Sequence, residues 1–459
     1  MLQQFDPEQP SNRPQKTSFL ERNGYLFKAA IILLLVILMQ IPTAMITGLI
    51  SEREQRQRQA SVDVSAKWGL EQVVSGPILT IPYYRLDNEE GKTVKKLAYA
   101  HVLPADLNIS GELSPEKRYR TFYEIVVYNS KIKFAGQFDL SDFNNMNIPT
   151  SDVLWKNAFL NVGISDLRGI EEQIKVKWNK DEYMFNAGIE TNDVSQTGVH
   201  TIVPIAPVGT QNSYTFEFDL ELKGSSLLHF TPVGRETKVK IHSNWTNPSF
   251  RGAFLPDMRK ITEKDFNAEW KVLHLNRKYP QMWKGNQFAQ ALGASAFGVN
   301  LLLPGDHYAK SDRTVKYSFV LIALTFMIFF FMEILNQKKV HPFQYILIGL
   351  ALCIFYSLLL SFAEHFNFDK AYLVAGAMTI ALIGMYTIAI FKDRKYAFLV
   401  VGILIVLYMF VFVVVRLQDY SLLIGSLGLF AALATVMYLS RQIDWYNLKN
   451  EESIDNLKK

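Results

Sequence analysis

The chain has 459 residues and a formal net charge of +5 at pH 7, and hydrophobic residue types make up 49% of it. Its one cysteine excludes an intramolecular disulfide and a cysteine-rich zinc site. Between Ser51 and Lys316, 33 Lys and Arg residues balance 31 Asp and Glu residues, and no basic run stands out. This near-neutral composition excludes the charge footprint of a nucleic-acid-binding protein.

A polar head, residues 1–28, precedes the first apolar run, residues 29–50. This run is longer than the apolar core of a secretory signal, and no small-x-small cleavage site closes it. It is therefore predicted to remain as a transmembrane helix, kinked at Pro42. The polar residues that follow are predicted to extend the helix as far as Trp68-Gly69.

The spacing of apolar residues then changes to a period of two, which is typical of half-buried antiparallel strands. The clearest alternation lies in Tyr123–Tyr128, Lys131–Phe134, Tyr214–Leu222 and Thr237–His242. Turn signals are placed at Asn129-Ser130, Lys223–Ser225 and Pro232–Gly234. Residues 51–316 are therefore predicted to form a predominantly β domain, a twisted sandwich inserted between the first and second transmembrane helices.

Five further apolar runs lie within residues 317–439, and a polar tail, residues 440–459, follows them. Each run is long enough, at about 1.5 Å per residue, to cross a hydrocarbon core of roughly 30 Å. The predicted fold class is therefore a polytopic α-helical membrane protein. It has six transmembrane helices, arranged as one plus five, and a large extracytoplasmic β domain.

The flanking charges predict the orientation. With the N-terminus inside, the cytoplasmic segments hold thirteen Lys and Arg residues, whereas the short outer loops hold Lys370 and Arg416. This distribution follows the positive-inside rule. Both termini are therefore predicted to be cytoplasmic, with the large domain periplasmic and the protein in a bacterial inner membrane.

Several short motifs, in order along the chain, resemble the CreD family of bacterial inner-membrane proteins. They are Trp68–Gln72, Ser75–Tyr83, Ser243–Phe250, Phe254–Pro256, Asp312–Tyr317, Ala323–Met327, His341–Tyr345, Glu364-His365 and Arg441–Tyr446. The resemblance implies an inner-membrane protein tied to cell-envelope integrity and to envelope-stress responses. It implies no catalytic residue.

Direct inspection of the residues also favours a protein that is not an enzyme. Ser114 and Lys117 match a Ser-x-x-Lys motif, but they lie in a strand-rich stretch without its companion motifs. Asp306-His307 could ligate a metal, yet no third ligand accompanies the pair at a suitable spacing. The other histidines are scattered: His101, His200, His229, His242 and His274. We therefore expect no catalytic, cofactor-binding or metal-binding residues, and no cofactor.

The third apolar run has a small or polar residue at every fourth position. These residues are Gly349, Cys353, Ser357, Ser361 and His365. One interpretation is a hydrophilic track that ends at Glu364-His365. The other, which we favour, is a seam where helices pack closely. The fifth run, which is bulky and β-branched, is predicted to face lipid.

Glu333, near the inner end of the second run, is either functional or paired with Lys338 or Lys339. The candidate functional polar residues of the membrane are thus Glu333, Ser357, Ser361, Glu364 and His365. The candidate coupling segments between domain and membrane contain Trp68, Gly69, Asp312, Arg313 and Lys316.

Two classes of function remain open. The first is a non-enzymatic envelope protein whose β domain binds an envelope protein or a cell-wall component and couples to the helix bundle. The second is a transporter or membrane-embedded enzyme that uses polar residues of the second and third helices. The six spans show no paired broken helices or inverted repeat, which favours the first class. The lipid bilayer is the expected environment, nucleic acid is not an expected partner, and the protein could form oligomers.

Overall fold

A computed structural model describes residues 24–89, 92–121, 123–303, 307–336, 338, 340–417 and 420–441. The chain separates into two compact units. One is a β unit, Arg56–Pro304, and the other is a helical unit that comprises the remaining residues.

The first apolar run forms two consecutive helices, α1 (Gly24–Leu38) and α2 (Gln40–Trp68). Pro42 lies in the first turn of α2, where its missing N–H breaks no helical hydrogen bond. The predicted polar extension is confirmed, because α2 continues without a break as far as Trp68.

The β unit contains two sheets. Within the described residues, the first sheet has nine strands: β1 (Gln72–Glu89), β2 (Lys92–Val102), β5 (Phe159–Ile164), β8 (Asn186–Ala187), β9 (Gly198–Ile202), β11 (Leu227–Thr231), β13 (Pro248–Gly252), β16 (Met282–Lys284) and β17 (Phe297–Leu301). The second has eight: β3 (Asp106–Arg120), β4 (Tyr123–Asp139), β6 (Lys175–Trp178), β7 (Asp181–Met184), β10 (Ser213–Ser225), β12 (Glu236–Ser243), β14 (Met258–Ile261) and β15 (Phe266–Leu273). The predicted β-rich domain is therefore confirmed.

The strand order shows how the two sheets are built. The first sheet runs β13-β17-β11-β1-β5-β9-β8, with β2 beside β1 and β16 beside β2. The second runs β14-β15-β12-β3-β4-β10-β6-β7. Most neighbours are antiparallel, but β1 with β11 and β12 with β3 are parallel pairs that join distant parts of the chain. Five short 3-10 helices and α3 (Ala289–Ala294) connect the strands.

Buried side chains of both sheets form one hydrophobic core. Phe134 on β4 has no exposed surface and stacks on Phe218 of β10, with ring centroids 4.8 Å apart. Trp178 and Tyr214 stack in the same way at 5.3 Å. The apolar residues of each alternating pattern therefore face inward and pack into this core.

One turn signal was wrong. Asn129-Ser130 does not end a strand, because β4 runs without a break from Tyr123 to Asp139. Ser130 is buried and donates its hydroxyl proton to the carbonyl of Leu222, so the strand accommodates this polar residue. The turn at Pro232–Gly234 is confirmed, since it separates β11 from β12.

The helical unit continues with six helices. These are α4 (His307–Lys316), α5 (Ser318–Asn336), α6 (Pro342–Ala363), α7 (Phe368–Phe391), α8 (Arg394–Arg416) and α9 (Ser421–Ser440). In the described part of the chain, six helical segments are long and apolar enough to cross a membrane, one near the N-terminus and five after the β unit. The predicted division of one plus five is confirmed.

The prediction that the fifth run faces lipid was wrong for one side of the helix. Helix α8 buries Val400, Leu404, Val411 and other residues, and it packs against α7. The outermost helix is instead α9, where Leu422 is 85% exposed. Bulky β-branched side chains pack as well against helices as against lipid, so composition alone did not distinguish the two environments.

The favoured packing seam on α6 is divided. Gly349 lies against Met39 and Phe326, and the thiol of Cys353 is 3.8 Å from the carbonyl oxygen of Met39. Ser357 and Ser361, in contrast, are exposed. The first half of the row therefore packs on the first transmembrane segment, whereas Ser357 and Ser361 in the second half are exposed.

Candidate functional site

The buried carboxylate of the second span is held by three helical segments. Glu333 on α5 is 4% exposed and forms an ion pair with Lys28 of α1. The hydroxyl of Tyr345 on α6 donates to the other carboxylate oxygen at 3.3 Å. Lys28 also donates to the carbonyl oxygen of Val340 at 2.6 Å. We call Lys28, Glu333, Tyr345 and Val340 the inner cluster.

The start of α6 positions this cluster. Nδ1 of His341 caps the helix by accepting a hydrogen bond from the N–H of Phe343 at 3.2 Å. The side-chain carbonyl oxygen of Gln344 in turn accepts a hydrogen bond from the N–H of His341 at 3.0 Å. Pro342 occupies the first turn, where a proline is favoured. This cap fixes where α6 begins and therefore where Tyr345 meets Glu333.

The pairing of Glu333 differs from the sequence-based alternative. Its partner is Lys28, which is 305 positions away in the chain, and not Lys338. Lys338 donates instead to the carbonyl oxygen of Phe391 at the end of α7. Lys339, the other suggested partner, lies outside the described residues.

A second buried carboxylate lies at the other end of α6. Glu364 follows the last residue of this helix, and its side chain is 9% exposed. The hydroxyl of Tyr308 on α4 donates to it at 3.1 Å, and Nε of Arg53 on α2 lies 3.8 Å from the same oxygen. Tyr308 is itself 1% exposed. We call Arg53, Tyr308 and Glu364 the outer cluster.

The outer cluster joins both connections between the helical unit and the β unit. Arg53 lies on the helix that leaves for the β unit, and Tyr308 lies on the first described helix after it. Lys28 and Arg53 are separated by 25 positions of helical chain, or about 37 Å at 1.5 Å per residue. The first transmembrane segment is therefore held by a carboxylate near each of its ends.

The remaining candidate residues of the membrane do not join these clusters. Ser357, Ser361 and His365 are exposed, and Nδ1 of His365 lies 3.1 Å from the carbonyl oxygen of Ser361. Glu333 and Glu364 contact different ends of the first transmembrane segment. The five predicted residues therefore do not form one continuous polar track in the described structure.

The predicted coupling residues Trp68 and Gly69 are docked firmly within the β unit. The indole N–H of Trp68 donates to the carbonyl oxygen of Tyr128 at 3.3 Å. The side chains of Arg118 and Lys223 lie 4.7 Å and 4.8 Å from its ring centroid, at cation–π distance. Gly69 has φ of +156°, and a Cβ there would meet the carbonyl oxygen of Lys223 at 2.7 Å. This close approach requires glycine.

The coupling residues of the second connection lie on the more polar face of α4. Lys316 and Asp312 form an ion pair at 2.8 Å, one helical turn apart, and Arg313 is half-buried. The buried face of the same helix carries Tyr308, Ser311, Thr314 and Val315. Asp306 lies outside the described residues. Sequence inspection thus selected α4 but missed Tyr308, the residue of this helix that donates to Glu364.

A buried hydrogen-bond chain in the β unit was not visible in the sequence. The amide of Asn161 donates to Oγ1 of Thr80 at 3.1 Å, and this hydroxyl lies 3.0 Å from Nδ1 of His101. Nε2 of His101 lies 3.3 Å from Oδ2 of Asp193. The hydrogen bond with His101 lowers the pKa of Asp193, although burial acts in the opposite direction. The three strands that carry the chain are neighbours only in the folded sheet.

Burial limits which polar side chains of the β unit could contact a substrate. Thr80 and His101 have no exposed surface, so the Thr80 hydroxyl cannot contact a substrate in this conformation. Ser114 and Lys117 both lie on strand β3, where Lys117 pairs with Glu124 at 2.9 Å. Across the described residues, no three His, Cys, Asp or Glu side chains come close enough together to hold a metal ion.

Comparison with known proteins places the chain in a family. The profile of the family described as "Inner membrane protein CreD" matches residues 24–446. A relative from Escherichia coli (strain K12), named Inner membrane protein CreD, is 32% identical over 415 residues. The aligned region covers 90% of this chain and 91% of the relative. The chain therefore belongs to the CreD family of inner membrane proteins.

Proposed function

We propose that this protein contributes to cell-envelope integrity and the response to envelope stress without catalysing a reaction. In this proposal the β unit binds an envelope protein or a cell-wall component on the periplasmic side of the membrane, and binding is coupled to the helices. The observation that carries the proposal is the position of Glu364, which contacts both connections to the β unit through Arg53 and Tyr308.

Coupling requires that a partner binds unequally to two arrangements of the protein. In this proposal a movement of the β unit reaches the helices along the chain, which passes between the units through α2 and again before α4. Trp68 holds the end of α2 on the β unit, and Glu364 holds both connections on the helical unit. A carboxylate shared by two connections is well placed to favour one arrangement over another.

The alternative, a transporter or membrane-embedded enzyme, would use the same carboxylates differently. Both carboxylates lie beside a basic side chain and accept a hydrogen bond from a tyrosine hydroxyl. The two carboxylates also lie near opposite ends of the first transmembrane segment, so they do not line one continuous pathway. We therefore favour coupling over transport.

The proposal is tested with Glu364→Gln in cells that depend on this protein for resistance to detergent and to cell-wall antibiotics. The amide still accepts from Tyr308 but loses the charge that attracts Arg53, so envelope resistance should fall while the protein level in the membrane stays constant. Asp369→Asn is the matched control, because Asp369 forms a more exposed ion pair with Arg416 at 3.6 Å in the same outer region. Resistance equal to wild type in the Glu364→Gln strain would contradict the proposal.

The orientation is tested separately. Single cysteines at Asn129 and Asp369, in a Cys353→Ala background, should react with an impermeant maleimide when the outer membrane is permeabilised. A cysteine at Lys449 should not react. Labelling at Lys449 would reverse the proposed topology and would place the β unit on the cytoplasmic side.

A further inference from the structure

Residues 188–197 connect β8 to β9, and two histidines of the first sheet contact carboxylates of this segment. Nε2 of His101 meets Asp193 at 3.3 Å, and Nε2 of His200 meets Glu190 at 3.0 Å. The hydroxyl of Thr197 anchors the far end by donating to the carbonyl oxygen of Ile164 at 2.7 Å. Residues 192–197 also form one wall of a cleft of about 470 Å³, whose other wall includes α3.

The two histidines differ in what faces their second ring nitrogen. Nδ1 of His101 faces the hydroxyl of Thr80, which can donate a proton to it. A neutral His101 therefore satisfies both contacts, with Nε2–H donating to Asp193. Nδ1 of His200 faces the carbonyl oxygen of Gly188 at 3.0 Å, and a carbonyl oxygen can only accept.

A neutral His200 cannot satisfy both of its contacts. If Nδ1 carries the proton for Gly188, the lone pair of Nε2 is set against a carboxylate oxygen 3.0 Å away. If Nε2 carries it, the lone pair of Nδ1 is set against the carbonyl. Only the doubly protonated imidazolium donates on both sides, and histidine gains and loses this proton between pH 5 and 8.

We propose that His200 is a proton-dependent latch, which holds Glu190 and the chain beside it on the sheet when protonated and releases them when neutral, while the N–H of Gly188 stays bonded to the carbonyl oxygen of Gly198. His101 with Asp193 is a tether that stays closed over the same pH range. Release of the latch frees the start of the segment, while Asp193 and Thr197 keep its remainder in place. The start of the segment thereby becomes adjustable by pH, while the wall of the cleft, residues 192–197, stays in place.

The surroundings of His200 contain few other groups that could titrate in this range. Phe159 of β5 lies against its ring at 6.5 Å, and β8 contributes no charged residue. The contacting strand β7 carries Asp181 and Glu182, which are exposed, and also Tyr183. Carboxylates ordinarily titrate near pH 4 and tyrosine near pH 10, so imidazole is the side-chain type in this set whose ordinary titration range lies between pH 5 and 8.

Hydrogen–deuterium exchange of the full-length protein in detergent tests the latch. After correction for intrinsic exchange rates, amides of residues 189–192 should be about fivefold more protected at pH 5.5 than at pH 8.0, as for a partly exposed ion pair. Protection of residues 195–197 should not change. His200→Asn, which keeps a donor for Gly188 but cannot gain charge, should remove the difference. His242→Asn, on an exposed strand face beside Asn267, should retain it.

Two further results decide the proposal. Nitrogen NMR of histidine-labelled protein should show both ring nitrogens of His200 protonated at pH 5.5, with the signal assigned by its loss in His200→Asn. Glu190→Gln should abolish the pH difference as well, and it serves if the histidine variant does not fold. A neutral His200 at pH 5.5, or a pH difference that persists in Glu190→Gln, would overturn the proposal.

Discussion

The β unit and the helical unit bury their polar groups in different ways. In the β unit a single large apolar core joins two sheets, and most ion pairs lie on the surface, such as Lys131 with Glu221. In the helical unit large apolar side chains are exposed, such as Phe398 at 74%, whereas the paired carboxylates of Glu333 and Glu364 are buried. Helices in lipid gain little from apolar contact, because lipid tails are equally apolar. Polar contacts therefore specify helix positions, whereas apolar burial specifies the β fold.

The largest effect should come from the core of the β unit. Phe134→Ala removes a fully buried ring that stacks on Phe218, and it should lower the free energy of unfolding of the β unit by about 4 kcal/mol. Urea titration of the full-length protein, followed by proteolysis of the β unit, measures this change. Tyr119→Ala is the control, because Tyr119 is 62% exposed and its loss should cost far less. Equal costs would mean that apolar burial does not distinguish the two sites.

The inner cluster should give the next largest effect. Glu333→Ala leaves Lys28 without its carboxylate and should destabilise the helical unit by about 3 kcal/mol. Resistance to denaturation by SDS in mixed micelles measures the change. The double variant Lys28→Ala/Glu333→Ala should recover most of the loss, because no unpaired charge remains. If the double variant is as unstable as the two single losses added together, the pair does not act as a unit.

Acidification should sharpen the comparison within the β unit. The hydrogen bond with His101 lowers the pKa of Asp193. The stability contributed by this carboxylate is therefore complete above the ordinary aspartate value of about 4. It is lost as the pH falls through the lowered pKa. In urea titrations between pH 5 and pH 2, Asp193→Asn should lose less stability than wild type. A steeper loss in the variant would contradict this assignment.

The smallest effect should come from the exposed face of the second sheet. Lys131 is 75% exposed at its side chain, and its pair with Glu221 spans two strands on the surface. Lys131→Ala should leave the free energy of unfolding nearly unchanged, since water and salt screen such pairs. The same urea titration measures it. A loss comparable to that of Phe134→Ala would remove the distinction between surface charge and core.

Features that depend on local spacing could be predicted from the sequence. The length of each apolar run gave six spans, and the period of two gave the strands that contain Phe134 and Phe218. The polar residues that follow the first apolar run likewise predicted a continuation of the helix as far as Trp68. Each of these properties is set within a few turns or residues, so no distant part of the chain was needed to recognise it.

Contacts between distant segments could not be predicted in the same way. The pair of Lys28 with Glu333 joins residues 305 positions apart, and the chain from Asn161 to Asp193 depends on which strands are neighbours. Sequence spacing does not state which helices or strands lie side by side. Local spacing therefore indicates Lys338 and Lys339 as partners of Glu333, and it assigns no role to the scattered histidines.

In the proposed coupling, Glu364 holds the first transmembrane segment in one arrangement through Arg53. Spin labels on cysteines at Leu49 and Leu373, both exposed, report the distance between α2 and α7 in the full-length protein with Cys353→Ala. Wild type and the Asp369→Asn control should give one narrow distance distribution, and Glu364→Gln should give a broader or second distribution. Identical narrow distributions in all three proteins would contradict the claim.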